Sequence, residues 1–249
     1  MNKRIYGLIG YPLGHSFSRS YFANKFKKEE INAEYINFEI EDVSELKNII
    51  TDNPQLCGLN VTIPHKRAVM ALLDEIDETA LAIGAVNVIK VSRCDNGKVF
   101  LKGYNTDVIG FTNSIEPLLK PIHKKALLLG TGGVSRAISY ALGRIGIQIL
   151  QVSRDKKPDM VTYAELDKSI LDSHTVIVNA TPVGMFPHTD EFPQIPYRYI
   201  GKDHLIYDTI YNPAETMLMK LSAGQGAAVK NGQEMLEGQA IAAWEIWNS

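Results

Sequence analysis

Strand-like and helical patterns alternate along most of this chain, and the alternation constrains the fold more than any other feature. Short apolar runs bounded by turn residues are typical of strands, and the segments between them mostly have helical periodicity. The strand-like runs are Arg4–Ile9, Glu34–Ile40, Leu56–Ile63, Ala126–Leu129, Gln148–Ser153, Thr175–Asn179 and His204–Tyr207. This order predicts an α/β fold.

Length and composition narrow the classes of function. The chain has 249 residues, of which 45% are hydrophobic, so it is long enough for two domains with buried cores. A net charge of -2 without a basic run argues against a nucleic-acid partner, and no apolar stretch has the length of a membrane span. The start of the chain lacks the apolar region of a signal peptide, and two cysteines are too few for a disulfide framework. We therefore expect a cytoplasmic protein.

A glycine-rich segment in the middle of the chain is typical of a dinucleotide-binding βαβ unit. The apolar strand that ends at Leu129 leads into Gly130-Thr131-Gly132-Gly133-Val134, then into a helical pattern and a second strand from Gln148. Gly130 and Gly132 match the first two glycines of the fingerprint, which let backbone N–H groups approach a pyrophosphate at a helix N-terminus. Ser135 stands where the third glycine is usual. The position of the motif within the unit favours a dinucleotide site.

The end of the second strand indicates which dinucleotide is preferred. An NAD site usually carries an acidic residue there, whereas an NADP site carries an arginine for the 2′-phosphate. This strand ends in Ser153-Arg154, and Lys156 and Lys157 add positive charge, although Asp155 is a carboxylate in the same loop. We predict NADP, with an ordinary charged loop as the alternative.

The segment Asn60–Lys66 places a lysine in an unexpected position. Val61 and Ile63 alternate as in a strand, and Pro64 suits the first turn of a helix. Lys66 is therefore predicted in a helix first turn, where the helix dipole disfavours a cation. This indicates either a reactive lysine or a solvated surface lysine.

A hairpin is predicted further along the chain. Two strand-like runs, 85–91 and 98–107, flank Asp95-Asn96-Gly97, and Asn-Gly is a strong signal for a type I′ turn. With a two-residue loop, Asp95 pairs with Lys98, whereas a bulge would shift the register by one residue.

The same register brings Asn87 opposite Thr106 and makes Asp107 the next residue along. Asp107 is thus a candidate partner for Lys66. Because residues 105–111 also read as a helix start, a capping role for this carboxylate remains open.

Further motifs extend over the whole chain. They are Gly10–Ser18, Asn60–Lys66, Ile83–Asn87, Asn105–Asp107, Gly130–Arg136, Asn179–Pro182, Tyr207–Pro213 and Asn231–Ala240. In this order they resemble the motifs of the shikimate dehydrogenase family, and the full set is highly specific although each motif alone is weak. Two positions depart from the family pattern: Thr209 replaces a methionine or other apolar residue, and Arg19 replaces a proline.

The resemblance implies a two-domain enzyme with a cleft between the domains. An N-terminal α/β domain, residues 1–107 and 232–249, would bind the substrate, and a Rossmann-type domain, residues 108–231, would bind NADP. The implied substrate set is Ser16, Ser18, Thr62, Lys66, Asn87, Asp107, Tyr211 and Gln239. The implied cofactor set is Gly130, Thr131, Gly132, Gly133, Val134, Ser153, Arg154, Asn179, Ala180, Thr181, Thr209 and Gly232.

The chemistry of these side chains agrees with a polyhydroxylated carboxylate as substrate, because hydroxyl and amide groups hydrogen-bond its oxygens. Gln239 shares a helical stripe with Met235, Ala242 and Ile246, so it either faces a polar ligand or is a buried amide paired to backbone. Ser16 and Ser18 have helix capping as the alternative. No metal site is expected, because His15 and His65 lack metal-ligand partners at a diagnostic spacing.

The implied reaction is the reversible NADPH-dependent reduction of 3-dehydroshikimate to shikimate, in aromatic amino acid (chorismate) biosynthesis. Lys66 and Asp107 would be the catalytic residues. The alternatives are an NAD-using quinate/shikimate dehydrogenase and a non-catalytic regulator that binds the same ligands. The expected partner is a small-molecule substrate, with the chain a monomer or homodimer.

Overall fold

The computed structural model of the protein describes residues 3–14, 17–94 and 97–249, and it divides into two compact units. Unit 1 comprises Met1–Thr106 and Ala240–Ser249, and unit 2 comprises Asp107–Gln239. Each unit contains a six-stranded sheet, in agreement with the predicted α/β fold. In the described part of the chain, no helix is long and apolar enough to cross a membrane.

Unit 1 is built on a mixed sheet. Its strands are β1 (Arg4–Gly10), β2 (Ala33–Glu39), β3 (Leu56–Val61), β4 (Glu75–Ile76), β5 (Val88–Arg93) and β6 (Val99–Tyr104). Its helices are α1 (Phe17–Lys28), α2 (Leu46–Asp52) and α3 (Glu78–Ile83), with 3-10 turns at Val43–Glu45 and Ala68–Leu72. The strand order is β2-β1-β3-β5-β6-β4. β3 runs parallel to β1 and antiparallel to β5, so the carboxyl end of β3 meets the start of β5.

Alternating side chains divide the core of unit 1 between the two faces of its sheet. Ile9 and Ile89 pack with Leu46 and Leu59 in one aliphatic cluster. Their neighbours Leu8 and Val88 belong to a second, aromatic cluster. Successive strand residues point to opposite faces, which explains why adjacent residues join different clusters. The aromatic members are Tyr6, Tyr21, Phe22, Phe26, Tyr35, Tyr104, Trp244 and Trp247.

Unit 2 is built on an all-parallel sheet. Its strands are β7 (Lys125–Leu129), β8 (Gln148–Ser153), β9 (Met160–Thr162), β10 (Val176–Asn179), β11 (Leu205–Asp208) and β12 (Ala228–Lys230). Its helices are α4 (Asp107–Ile115), α5 (Gly133–Arg144), α6 (Lys168–Ser173), α7 (Met217–Ala223) and the first part of α8 (Gln233–Asn248), with 3-10 turns at Glu116–Leu118, Tyr163–Glu165 and Tyr197–Tyr199. The strand order is β12-β11-β10-β7-β8-β9. The chain adds β8 and β9 on one side of β7 and then adds β10, β11 and β12 on the other side, so the strand order reverses between β10 and β7. In doubly wound sheets, ligands bind at the carboxyl ends of the strands beside such a reversal.

The chain returns to unit 1 later than the sequence predicts. The predicted return is at Gly232, whereas the structure places it at Ala240, within α8. The physical reason is that the first turns of α8 pack in unit 2, where Met235 is part of the hydrophobic core. The first boundary differs by one residue, because Asp107 begins unit 2 instead of ending unit 1.

The hairpin of unit 1 has the shifted register that the sequence left open. Val88 pairs with Tyr104, and Arg93 pairs with Val99. The Cys94 amide donates to the Lys98 carbonyl, so the expected pairing of Asp95 with Lys98 is wrong by one residue. Gly97 has φ 79°, as expected for the left-handed position of a three-residue hairpin loop. Asp95 and Asn96 lie outside the described residues.

Candidate active site

Unit 1 gathers three predicted substrate residues around the carboxyl end of β3. The Thr62 amide donates to Ile9 on β1 (2.9 Å), and the Val61 amide donates to the Asn87 carbonyl (2.8 Å). The Val86 amide in turn donates to the carbonyl of Lys66 (2.8 Å). These backbone hydrogen bonds tie the segments that carry Thr62, Lys66 and Asn87 to one another.

Lys66 does not lie in the first turn of an α-helix, so that prediction was wrong. Residues 63–67 form turns, and the 3-10 helix begins only at Ala68. The Lys66 carbonyl is bonded to Val86, outside any helix. The helix-dipole argument therefore does not apply to this side chain, which is half-buried.

Asn87 anchors the end of the first segment of unit 1. Its side chain is buried, and its Nδ2 donates to Thr106 Oγ1 (3.1 Å) while its Oδ1 accepts from the Thr106 amide (2.8 Å). The predicted register, with Asn87 opposite Thr106, is wrong by one residue, although the Asn87 side chain does bond to Thr106. Thr106 is followed directly by Asp107.

Ser18 lies in the first turn of α1, where its hydroxyl is hydrogen-bonded to Tyr35. The Tyr35 hydroxyl donates to Asn60 Oδ1 (2.7 Å), and burial raises the pKa of this tyrosine. Ser16 lies outside the described residues, as does His15.

His65 is a satisfied core histidine. It is buried, with Nε2 at 2.7 Å from the Ile40 carbonyl. Across residues 3–14, 17–94 and 97–249, no cluster of three or more His, Cys, Asp or Glu side chains is placed to hold a metal ion.

Unit 2 carries the remaining predicted substrate residues. Asp107 is buried and is the first residue of α4, where the helix dipole favours its negative charge. Gln239 is half-buried on α8, and its backbone nitrogen lies beside Gly110 of α4. Asp107 and Gln239 therefore lie on packed helices. Tyr211 is 37% exposed in the loop after β11, and partial burial raises the pKa of its hydroxyl.

The predicted glycine-rich loop connects β7 to α5. Gly130 has φ 106°, which favours glycine, and a Cβ there would lie 2.9 Å from Thr181 Cγ2. Gly132 is the N-cap of α5, and in the described part of the chain no side chain caps this end of the helix. The first-turn N–H groups are therefore free to bind an anion, next to the open space at Gly132.

The loop after β8 carries the predicted specificity residues. Ser153 is buried at the end of the strand, and its hydroxyl donates to the Asp155 carbonyl. Arg154 is exposed, whereas Lys156 is engaged in an ion pair with Glu165 (2.5 Å). Lys157 Nζ lies 3.4 Å from Thr131 Oγ1 of the glycine-rich loop.

The other predicted cofactor residues follow β10 and β11. The Ala180 amide donates to Leu129 at the end of β7, and the Thr209 amide donates to Asn179. The Asn179 side chain accepts from the amide and the hydroxyl of Thr181 (3.1 and 2.6 Å). A Cβ at Gly232 would lie 2.1 Å from the Thr209 carbonyl oxygen, so these two backbones are in contact. The cofactor set thus converges at the carboxyl ends of β7, β8, β10 and β11.

Asp208 is a buried carboxylate beside the predicted cofactor residue Asn179, and the sequence analysis did not single it out. This fully buried carboxylate accepts from Asn179 Nδ2 (3.0 Å), the Ile210 amide (3.1 Å) and Thr216 Oγ1 (2.7 Å). Burial is the main cause that raises its pKa to about 6. An Asp that ends an otherwise apolar strand was the available signal, because a buried carboxylate must be hydrogen-bonded.

The ends of these strands fit a phosphorylated dinucleotide. The helix N-terminus at Gly132 suits a pyrophosphate, and the exposed Arg154 at the end of the next strand suits a 2′-phosphate. The residues that would hold the adenosine end therefore all belong to unit 2.

Comparisons with known proteins give one consistent result. The profile described as shikimate dehydrogenase substrate binding domain matches residues 8–89. A relative from Methanosphaera stadtmanae, named shikimate dehydrogenase (NADP(+)), is 39% identical over 98% of this chain and 90% of its own length.

Solved structures of similar fold carry related names. A crystal structure of shikimate dehydrogenase in complex with NADP+ has a TM-score of 0.87 and 34% identity, over 98% of this chain and 90% of that chain. Quinate dehydrogenase from Corynebacterium glutamicum in complex with NAD has a TM-score of 0.86 and 27% identity, over 99% and 94%.

Proposed function

Because the chain belongs to the shikimate dehydrogenase family, we propose that it catalyses the reversible NADPH-dependent reduction of 3-dehydroshikimate to shikimate. This reaction is a step of aromatic amino acid biosynthesis. The observation that carries the proposal is the position of Gly130–Val134 beside the order reversal of a parallel sheet, with Arg154 at the end of the neighbouring strand.

The substrate side of the proposal rests mainly on residues of unit 1, with three more from unit 2. The profile match over residues 8–89 includes Ser18, Thr62, Lys66 and Asn87. Hydroxyl, ammonium and amide groups of these kinds hydrogen-bond the carboxylate and hydroxyls of shikimate. Ser16, Tyr211 and Gln239 complete the proposed substrate set, and Asp107 contributes its carboxylate.

Lys66 is the proposed proton donor. When bound, NADPH supplies the hydride to the carbonyl carbon. The Lys66 ammonium polarises the carbonyl oxygen and transfers a proton to it, giving the product hydroxyl. Asp107 orients this ammonium and accepts a hydrogen bond from a substrate hydroxyl. In the reverse direction, the neutral amine accepts the proton as the alcohol is oxidised.

An NAD-using quinate/shikimate dehydrogenase is the second candidate. Two observations favour it: Asp155 lies next to Arg154, and the chain is similar to a quinate dehydrogenase in complex with NAD. A non-catalytic regulator would bind the same ligands without turnover.

Initial rates separate these candidates. Shikimate and quinate are each assayed with NADP+ and NAD+, and the expected best pair is shikimate with NADP+. Arg154→Ala should raise the KM for NADP+ much more than the KM for NAD+, because only NADP+ carries the 2′-phosphate. Lys168→Ala, an exposed lysine of the same unit, is the control. Equal changes in both KM values would contradict the role of Arg154, and binding without turnover would favour the regulator.

We place the enzyme in the cytoplasm as a monomer or homodimer. Cys57 and Cys94 are both free thiols, in keeping with a reducing compartment. Light scattering coupled to size-exclusion chromatography distinguishes 27.7 kDa from twice that mass.

A further inference from the structure

Two side chains hold the carbonyl of Gly130 at the start of the glycine-rich loop. Ser135 Oγ donates to the Gly130 oxygen (2.7 Å), and Gln151 Nε2 donates to the same oxygen (2.8 Å). Gln151 Nε2 also donates to Ser135 Oγ (3.0 Å). We call Ser135 and Gln151 the carbonyl clamp.

Both polar side chains of the clamp direct a donor at the same carbonyl. The Gly130 carbonyl has two lone pairs, which take the Ser135 hydroxyl and one Gln151 N–H. Gln151 Nε2 is within hydrogen-bond distance of both the Gly130 oxygen and Ser135 Oγ, and these two oxygens are themselves 2.7 Å apart, so one N–H is shared between them. On its other side, Gly130 donates its own N–H to the Val152 carbonyl (3.0 Å). The backbone of Gly130 is therefore held on both sides by β8 and the start of α5.

The clamp lies where it can set the shape of an anion site. Ser135 is buried in the first turn of α5, at the position where the fingerprint usually has its third glycine. Gln151 lies on β8, two residues before Ser153 and three before Arg154. The two carbonyl-binding side chains thus connect the glycine-rich loop to the strand that leads to the proposed 2′-phosphate residues.

We propose that Ser135 and Gln151 are positioning residues that fix the glycine-rich loop in the conformation that receives the pyrophosphate of the dinucleotide. The clamp keeps the Gly130 carbonyl, a partial negative charge, bonded within the protein, while the first-turn N–H groups of α5 face the anion. Without the clamp, this carbonyl is free to reorient, and its repulsion of a phosphate oxygen weakens binding. The inference rests on the proposed function, because it takes a dinucleotide as the ligand.

The test uses the full chain and direct binding measurements. Isothermal titration calorimetry gives the Kd for NADPH and for 2′-AMP, which has the adenosine and the 2′-phosphate but no pyrophosphate. Gln151→Met keeps the length of the side chain and removes both N–H donors. Ser135→Ala removes the hydroxyl with little change in volume. Gln148→Met makes the same substitution at the exposed start of β8 and is the matched control.

We expect Gln151→Met and Ser135→Ala to raise the Kd for NADPH by about tenfold, the effect of losing one or two buried hydrogen bonds. The Kd for 2′-AMP should change by less than about twofold, because this ligand has no pyrophosphate for the loop to bind. The double variant should lose less than the product of the single effects, since both side chains bind one carbonyl. Gln148→Met should match the wild type. This selective loss is the readout that a merely structural role would not produce.

Circular dichroism at the titration temperature verifies that each variant is folded, and Ser135→Ala carries the test if Gln151→Met does not fold. NADPH affinity within about twofold of wild type in the folded variants overturns the inference, and so does an equal loss of affinity for both ligands. If the wild-type chain does not bind NADPH, the proposed function fails and the inference fails with it.

Discussion

At the scale of single residues, the structure changes the argument for Lys66. The sequence suggested a cation placed against a helix dipole, but this residue precedes a 3-10 helix and its carbonyl bonds to Val86. What remains is a half-buried ammonium in a segment tied to Thr62 and Asn87. The catalytic proposal therefore depends on the residues tied to the Lys66 segment within unit 1, Thr62 and Asn87, and no longer on local helix electrostatics.

Lys66→Ala should lower kcat by about 10² to 10⁴, the usual effect of removing a positioned acid or base. Shikimate should still bind, as measured by calorimetry. Asp107→Asn keeps the shape and removes the charge, and the double variant should be little worse than the worse single variant if the two residues act together.

Lys47→Ala, an exposed lysine on α2, is the control for the loss of a charge in unit 1. Fully additive losses in the double variant would mean that Lys66 and Asp107 have independent roles. A kcat near wild type with a raised KM would make Lys66 a binding residue.

The raised pKa of Asp208 leads us to expect that the stability of the protein depends on pH. Its pKa is raised from 3.8 to about 6 in the folded protein, so between these values the folded state holds a proton that the unfolded chain has released. The free energy of unfolding contributed by this group is therefore fully present below pH 4 and is lost as the pH rises through 6. The loss amounts to about 3 kcal/mol, at 1.36 kcal/mol for each pKa unit.

Asp208→Asn removes this titration and keeps an oxygen for Asn179 and Ile210. Urea unfolding at pH 4, 5, 6 and 7 should show the variant gaining stability relative to wild type as the pH rises. The comparison uses the change across pH, so a constant offset from the altered bond to Thr216 does not affect it. A difference that stays flat from pH 4 to 7 would contradict the assignment.

At the scale of elements, the packing of α4 against α8 depends on the absence of a side chain. A Cβ at Gly110 would lie 2.3 Å from the Met235 carbonyl oxygen and 2.9 Å from the Gln239 nitrogen, and a Cβ at Gly238 would lie 3.1 Å from Gly110 Cα. The two helix backbones are in direct contact here. This contact positions Asp107 at the start of α4 and Gln239 on α8.

Gly110→Ala should lower the free energy of unfolding by roughly 1–3 kcal/mol, because the added methyl group meets backbone that cannot move aside alone. Gly143→Ala is the matched control: this glycine lies in α5, and its Cβ would have no atom within 4 Å. The control should be neutral or should stabilise by about 0.5–1 kcal/mol through helix propensity. A Gly110→Ala variant as stable as Gly143→Ala would show that the helices can separate without penalty.

Element prediction from the sequence succeeded where a pattern was long enough to have a period. The seven strand-like runs named first are all strands, with ends that differ by no more than two residues, and the two hairpin runs are strands with ends that differ by up to three. β4, β9 and β12 were missed because two or three residues do not define an alternation. The hairpin register depended on whether the loop has two or three residues, which Asn-Gly alone does not decide. The carbonyl clamp and the Asp208 network join residues distant in sequence, and only the fold brings these together.

At the scale of the whole molecule, the α/β class and the Rossmann-type half followed from the sequence, while the return to unit 1 did not. A continuous helix offers no turn residue to mark the change of unit, so the boundary inside α8 has no local signal. Packing decides it: Met235 belongs to the core of unit 2, and Ala240, Ala243 and Trp247 belong to the aromatic cluster of unit 1.

Trp247 provides a test of this division. It is 5% exposed, and its Nε1 donates to the Ile89 carbonyl (3.0 Å). Trp247→Ala should lower the free energy of unfolding of unit 1 by about 3–5 kcal/mol, whereas Trp247→Phe should lose less because it keeps a ring. The remaining tryptophan, Trp244, is in the same segment, so tryptophan fluorescence follows unit 1 during urea unfolding. An unchanged fluorescence midpoint in Trp247→Ala would contradict the assignment.

The split composition of unit 1 also has a consequence for its synthesis. All six strands of this unit have been synthesised once the ribosome has passed Tyr104. The helical segment Ala240–Ser249, which covers Tyr6 and Phe22, is synthesised only after residues 107–239. At roughly 5–20 residues per second, a ribosome needs on the order of ten seconds to make that insertion. Throughout this interval the aromatic surface of unit 1 lacks its cover, whereas unit 2 has all of its own strands once Lys230 is made, so unit 2 is complete before unit 1.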